Sequence, residues 1–247
     1  MSKSSYYSFM TWFKIFSIIF LVQVIRYFIF AGGAYVYFWH YKKDDSNKRK
    51  FQKQAFQWQD IKREIKYSIL TSVIFSIVLG TAYSEPFRSH MKIYTDFAEY
   101  GLWWVPVSLI FMLLAHDTYF YWMHRTLHHP KLFKTFHKVH HESKNPTPFA
   151  AFSFHPLEAL IEIAWILPVF FIVPLHQSVV VVFSIMALGM NVMGHLGVEL
   201  YPESWKDHFA LKYLNRSASH NYHHSHFKGN YGLYFNWWDR SQKTLAR

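Results

Sequence analysis

The chain has no cysteine among its 247 residues. That absence excludes disulfides, thiolate zinc sites, cysteine-held iron–sulfur clusters and cysteine nucleophiles. Charge is also scarce. Asp, Glu, Lys and Arg make up 17% of the chain, against roughly 25% in an average soluble domain. Acids are the rarer kind, 15 against 26 basic residues, for a formal net charge of +11. Three catalytic signatures are missing too. His141-Glu142 is followed by Ser143, Lys144 and Asn145 rather than completing His-Glu-X-X-His, no Gly-X-Ser-X-Gly occurs, and no Gly-rich dinucleotide fingerprint follows a strand pattern. What the chain does have is aromatic residues at 21%, long apolar runs and 17 histidines.

A helix needs about 20 largely apolar residues to cross a bilayer. Residues 15–39 carry Arg26 as their only charge, and 67–83 and 101–115 carry none, the latter extending toward Trp122. Residues 157–175 and 177–194 are separated by a single position and read as a hairpin, with Pro168 and Pro174 predicting a kinked, re-entrant first arm. Tyr and Trp gather at the run ends, as in interfacial belts. Five such runs leave too little polar sequence to enclose them in a soluble core. Ala31-Gly32-Gly33-Ala34 has the look of a signal-cleavage site, but the apolar run continues to Trp39, so an uncleaved anchor is expected. Alternating crossings put 40–66, 124–156 and 195–247 on one side with 21 of the 26 basic residues. Such a bias marks the cytoplasm and accounts for the basic excess without nucleic acid, for which no recognition motif is present. The expectation is an all-α membrane protein with about four to five transmembrane or re-entrant helices and a cytoplasmic helical cap carrying a histidine-rich dimetal site. Residues 1–100 would be an anchor region, 101–240 a catalytic domain that includes the hairpin 157–194, and 241–247 a short tail. A bacterial inner membrane and an ER membrane both fit.

Fifteen of the 17 histidines fall between His116 and His226. Three clusters stand out: His124-Arg125-Thr126-Leu127-His128, His137-Lys138-Val139-His140-His141 and His220-Asn221-Tyr222-His223-His224. Positions i, i+3 and i+4 share a helix face, so each cluster presents two or three imidazoles together. These eight exceed the needs of one ion, so two are implied. Imidazole suits iron, zinc, copper and nickel, and the spacing does not choose among them. Asn191, His195 and Glu199 follow at i, i+4, i+8, which makes His195 a ninth ligand candidate and Asn191 and Glu199 candidates to support a ligand. Asp117 falls within about 40° of His124 and His128 on a helical wheel, where a carboxylate could hydrogen-bond a ligand histidine. His116 points away and reads as structural. His155, before Pro156, is a candidate for either a helix cap or a supporting role. Glu158 and Glu162 at the start of an apolar run require partners, Arg125 being one candidate.

These clusters occur in order with further motifs: Asp117-X-X-X-Tyr121-Trp122 before the first, residues 151–158 (Ala-Phe-Ser-Phe-His-Pro-Leu-Glu) after the second, and Gly229-Asn230-Tyr231-Gly232 and Trp238-Asp239-Arg240 after the third. Over about residues 101–240 the chain resembles the fatty acid hydroxylase and sterol desaturase superfamily. The resemblance implies a membrane-embedded, O2-dependent lipid oxidoreductase with two iron ions, zinc being an alternative occupant after purification. The implied ligands are His124, His128, His137, His140, His141, His220, His223 and His224, with a further histidine at the position of His195. The chain departs from the family after Arg240, where Ser241-Gln242-Lys243-Thr244 replaces an apolar pair and Gly-Thr. The substrate would be a sterol or fatty acyl lipid. Electrons would come from an external ferredoxin or small haem cytochrome with its reductase, for which Lys131, Lys134, Lys138 and Lys144 form a candidate docking row. A histidine-rich membrane metal transporter or binding protein and a zinc-dependent membrane hydrolase are the competing readings. The first wants ligands deep within the spans, and the second lacks its motif.

Overall fold

The computed structural model describes residues 3–42, 49–52 and 56–246. The N-terminal rod is α1 (Lys3–Tyr27), a π-helical segment Phe28–Gly32, α2 (Gly33–Val36) and a second π segment Tyr37–Tyr41. Then come α3 (Trp58–Ala82), a two-residue strand β1 (Ile93–Tyr94) and α4 (Trp104–Leu127). Short helices α5 (Pro130–Phe136) and α6 (Lys138–His141) precede a 3-10 turn, Pro148–Phe152. The hairpin comprises α7 (Pro156–Ala164), α8 (Ile166–Ile172), strand β2 (Leu175–His176) and α9 (Gln177–Gly194). After it come α10 (Ser217–His226) and α11 (Trp237–Ser241).

Among the described residues, three helices are long and apolar enough to cross a membrane: Ser8–Tyr41, Trp58–Ala82 and Gln177–Gly194. Most of their surface faces outward with apolar side chains such as Leu21, Ile29 and Val181, which suits a lipid environment. The first covers 34 residues, about 51 Å at 1.5 Å per residue, longer than a hydrocarbon core of about 30 Å. α4 has 24 residues, but His116 and Asp117 make its second half polar. The hairpin's first arm is broken into pieces of nine and seven residues, neither long enough to span. Pro168 explains the break, because it lacks an N–H and its ring opposes the carbonyl of Ala164, where α7 stops.

Small residues bring the rods together. Ser68, Ser72 and Ser76 form a fully buried i, i+4 stripe on α3, and Ser72 and Ser76 donate back to the carbonyls one turn earlier at 2.9 and 2.7 Å. A Cβ on Gly80 would lie 3.4 Å from the Phe16 backbone, so the backbones of α1 and α3 approach closely there. Tyr27 and Ser68 both donate to the Phe149 carbonyl, at 2.8 and 3.0 Å. Glu64 accepts from the Thr147 hydroxyl at 2.5 Å. The N-terminal helices thus hold the 3-10 turn from below.

β1 and β2 pair in parallel, Ile93 with Leu175 and Tyr94 with His176. This pair ties the α3–α4 connection to the tip of the hairpin. The start of α3 and the ends of α4 and α9 consequently meet at the opposite, polar end, and the histidines collect there.

Candidate dimetal centre

Every histidine of the three clusters, and His195, converges on one place. His124 lies in the last turn of α4 and His128 is its C-cap. His137 precedes α6, which carries His140 and His141. α10 carries His220, His223 and His224, and His195 caps the end of α9. Their ring nitrogens form two groups: His124, His128, His137, His141 and His223 in one, His140, His195, His220 and His224 in the other, with the ligand atoms of each group within 4.8 Å of one another. Eight of the nine are buried and His128 is half-buried.

Helix geometry dictates this division. Residues i and i+4 differ by about 40° around the axis, whereas i+3 lies about 60° to the other side. Each i, i+4 pair therefore stays together: His124 with His128, His137 with His141, His220 with His224. The i+3 members, His140 and His223, cross to the other group.

The hydrogen bonds fix which nitrogen faces inward. His124 Nδ1 donates to the Tyr231 carbonyl at 2.9 Å, His140 Nδ1 to that of Ser153 at 3.3 Å, His195 Nδ1 to that of Asn191 at 2.7 Å and His223 Nδ1 to that of Gly229 at 2.7 Å. Carbonyls only accept, so each of these rings carries its proton on Nδ1 and a bare lone pair on Nε2. Two such lone pairs, on His140 and His195, face one another at 3.4 Å. His223 Nε2 lies 3.1 Å from His128 Nε2, and His195 Nε2 lies 3.1 Å from both His220 and His224. The buried Nε2 atoms of His124 and His137 have no hydrogen-bond partner among the described residues. Converging lone pairs repel unless a cation lies between them. For imidazole ligands about 2.1 Å from an ion, neighbouring nitrogens are separated by about 2.9–3.4 Å, so the spacing fits a bound metal. Burial, reinforced by neighbouring imidazoles, holds His137, His140, His141, His220, His223 and His224 well below the usual imidazole pKa. The neutral form they keep is the one that ligates.

The supporting residues differ from the sequence expectations. Among the described residues, Asp117 makes no hydrogen bond to any of the nine candidate histidines. It accepts from the backbone N–H groups of Tyr234 and Phe235 at 2.8 and 3.2 Å and from Trp237 Nε1 at 2.7 Å. Seven residues before His124 it shares an azimuth but lies about 10.5 Å away along the axis, so it anchors the chain after α10 instead. Asn191 supports His195 through its backbone carbonyl. Glu199 pairs with Arg216 at 3.2 Å and accepts from the Ala218 N–H near the start of α10, because α9 ends at Gly194 and the helical spacing lapses before it. His155 accepts from the Leu157 N–H at 3.3 Å and so caps α7. His116 meets Tyr234 OH at 2.8 Å and stacks on Trp165.

The roles of four residues escaped sequence reasoning. Glu158, not expected on a ligand, meets His137 Nδ1 at 2.5 Å. Its place inside an apolar run was the available signal, but Arg125 lies instead near Tyr121 OH and Gln242, at 3.3 and 3.4 Å. Buried Asp239 accepts from the N–H groups of Tyr231 and Gly232 and from Thr244 Oγ1, at 2.9, 2.9 and 2.7 Å. It thereby holds the loop whose carbonyls orient His124 and His223. Gly229 in that loop has φ +70°, a conformation that disfavours any residue with a Cβ. Phe227 ends α10 at φ 61°, unusual for a bulky residue, and its ring lies 4.9 Å from that of His141.

Nine imidazoles in two adjoining groups, at the polar end of apolar helices, define a membrane protein with an all-histidine centre able to hold metal. Comparison with known proteins agrees. The fatty acid hydroxylase family profile matches residues 109–244, more than half the chain, and the chain belongs to that family. It is 35% identical over 189 residues to human lathosterol oxidase, covering 75% of this chain and 61% of that protein. It is 30% identical over 184 residues to a Delta(7)-sterol 5(6)-desaturase of Gibberella zeae, covering 74% and 55%. The chain thus spans little more than half the length of these relatives. No solved structure matches.

Proposed function

We propose that the protein is a membrane-bound non-haem diiron oxidoreductase that hydroxylates or desaturates a lipid, using O2 and electrons from an external donor. The observation that carries this reading is the division of nine neutral, inward-facing imidazoles into two groups. Two irons bound there would supply the oxidising power that an unactivated C–H bond requires. The protein's own part is to aim the ligands and exclude water. Carbonyls of Ser153, Asn191, Gly229 and Tyr231, with the Glu158 carboxylate, lock five of the rings. On the side of the bundle, buried Phe120 and Phe154 pack 5.2 Å from His124 and His140, so apolar rings back both groups of imidazoles. Residues 101–240 act as the catalytic part and 1–100 as the anchor, which also buttresses the 3-10 turn through Tyr27, Glu64 and Ser68.

The names of the relatives favour a sterol as substrate and desaturation as the outcome. Membranes with and without the protein, compared for lipid products gaining one oxygen or losing two hydrogens, test the reading. O2 consumption alongside metal analysis separates it from a transporter or a zinc hydrolase, neither of which consumes O2. The basic bias of 40–66, 124–156 and 195–247 supports a cytoplasmic centre in a multi-pass protein. With no native cysteine, Lys144→Cys, at an exposed position, gives a clean labelling test: reaction only from the outside refutes that orientation.

A further inference from the structure

Both candidate reactions need electrons from outside the lipid. Hydroxylation follows RH + O2 + 2e− + 2H+ → ROH + H2O, and desaturation RCH2CH2R + O2 + 2e− + 2H+ → RCH=CHR + 2H2O. Resting on the reading above, we propose that the electron donor is a small protein with an acidic face, carrying a one-electron haem or iron–sulfur group, and that it docks in the groove between α10 and the 199–212 segment. The row of lysines at 131–144 is not its seat.

The groove encloses about 990 Å³. Its floor is the outer face of α10, with Ala218, Ser219 and Tyr222. The inner face of the same helix carries His220, His223 and His224. A partner seated there is separated from both ligand groups by one helix, about 10 Å across.

The charges of the walls select the partner. Arg216 and Lys206 are matched by Glu199 and Glu203 within the groove. Four further cations line the groove, Arg49, Lys50, Lys212 and Arg240, and Lys50 lies over the Trp39 ring. Arg49 donates to the Leu200 carbonyl at 3.4 Å. Lys212 lies over the Tyr213 ring. Arg240 donates to Asn236 Oδ1 and the Lys212 carbonyl and also lies over Tyr213. Asp207 is one further acid in the lining, so the groove's six cations outnumber its three acids and their excess complements an acidic protein face. The lining is polar as well as apolar, unlike a lipid-chain cavity. The lysines at 131, 134, 138 and 144 are exposed on the short helices and turn of 130–144, and none of them lines this groove.

The test uses the full-length, metal-loaded protein in neutral-lipid nanodiscs. Turnover is driven in one arm by a reduced ferredoxin or small haem cytochrome with its reductase, and in the other by a small-molecule viologen reductant. In Arg49→Glu/Lys212→Glu the donor KM should rise about tenfold at low ionic strength, with the difference shrinking in salt and viologen-driven turnover unchanged. Lys134→Glu/Lys138→Glu should leave the donor KM within about twofold. The groove assignment is overturned if donor KM is insensitive to the groove variant, if both electron sources lose activity equally, or if only the lysine-row variant raises KM. It is also overturned if the groove variant loses binding to anionic vesicles while donor KM stays put, which would make the groove a lipid-headgroup site. Viologen-driven turnover of the unaltered protein that no donor protein can replace would overturn the external-donor reading itself.

Discussion

Removing the carboxylate behind one ligand should disable one ion site and spare the other. Glu158 and His137 are both almost fully buried and meet at 2.5 Å. Burial pushes the Glu158 carboxyl well above the usual carboxylate range in the metal-free chain, so it is with a cation on His137 that the carboxylate would accept a charge-assisted hydrogen bond, contributing about 1.5–3 kcal/mol. Loss of a ligand's hydrogen-bond partner typically lowers metal affinity about 10–100-fold, or about 1.4–2.7 kcal/mol, so the two scales agree. Glu158→Gln keeps the shape and an acceptor but loses the charge. Glu158→Ala also leaves His137 Nδ1 without a partner. Because His137 belongs to the five-histidine group, chelator-competition titration should resolve one weakened ion and one that changes less than about threefold. His140→Ala should show the mirror pattern, acting on the four-histidine group. Equal weakening of both ions in Glu158→Gln, or of neither, would refute the argument that this carboxylate acts through His137.

Asp239→Asn should lower metal content and activity together, by about 2 kcal/mol of local stability, because an amide N–H would oppose a backbone N–H now held by the carboxylate; metal stoichiometry and thermal unfolding check this. His155→Ala should cost only the loss of a helix cap, about 1 kcal/mol, with two ions still bound per chain by elemental analysis. Acidification should release metal and destabilise the fold. The buried clusters on α6 and α10 have folded pKa values below the unfolded one, so above about pH 6.5 they carry no penalty. Below it the unfolded chain binds more protons and each histidine costs up to about 1.4 kcal/mol per pH unit; metal retention and melting temperature measured between pH 8 and 5 should fall in that direction.

The apolar runs and the box histidines were legible because both are local. A bilayer demands length and apolarity, and i, i+4 spacing brings imidazoles together without knowledge of the rest of the chain. Local spacing keeps each i, i+4 pair together, but which pairs and single rings combine into each group was not legible, since that depends on α6 and α10 facing each other across the site. Asp117 misled because a helical wheel shows azimuth and hides axial rise. Glu199 misled because its spacing assumed a helix that ends at Gly194. Glu158 went unassigned because its partner is contributed by residues folded back from α4 through α5, a tertiary event with no local signature. The departure after Arg240 gave no hint that Thr244 returns to Tyr121 OH and Asp239.

The consecutive pairs His140-His141 and His223-His224 each send one ring to either group. Each peptide bond within those pairs acts as an axle shared by two wheels. A small rotation of α10 would draw His223 away from one group as it pressed His220 and His224 into the other, so ions held in the two groups would sense the same motion with opposite sign. Ions held in the two groups would thus be spaced by backbone rather than by flexible side chains, and a change that moves α6 or α10 would reach both sites, whereas one confined to a single ring, as at Glu158, would reach one.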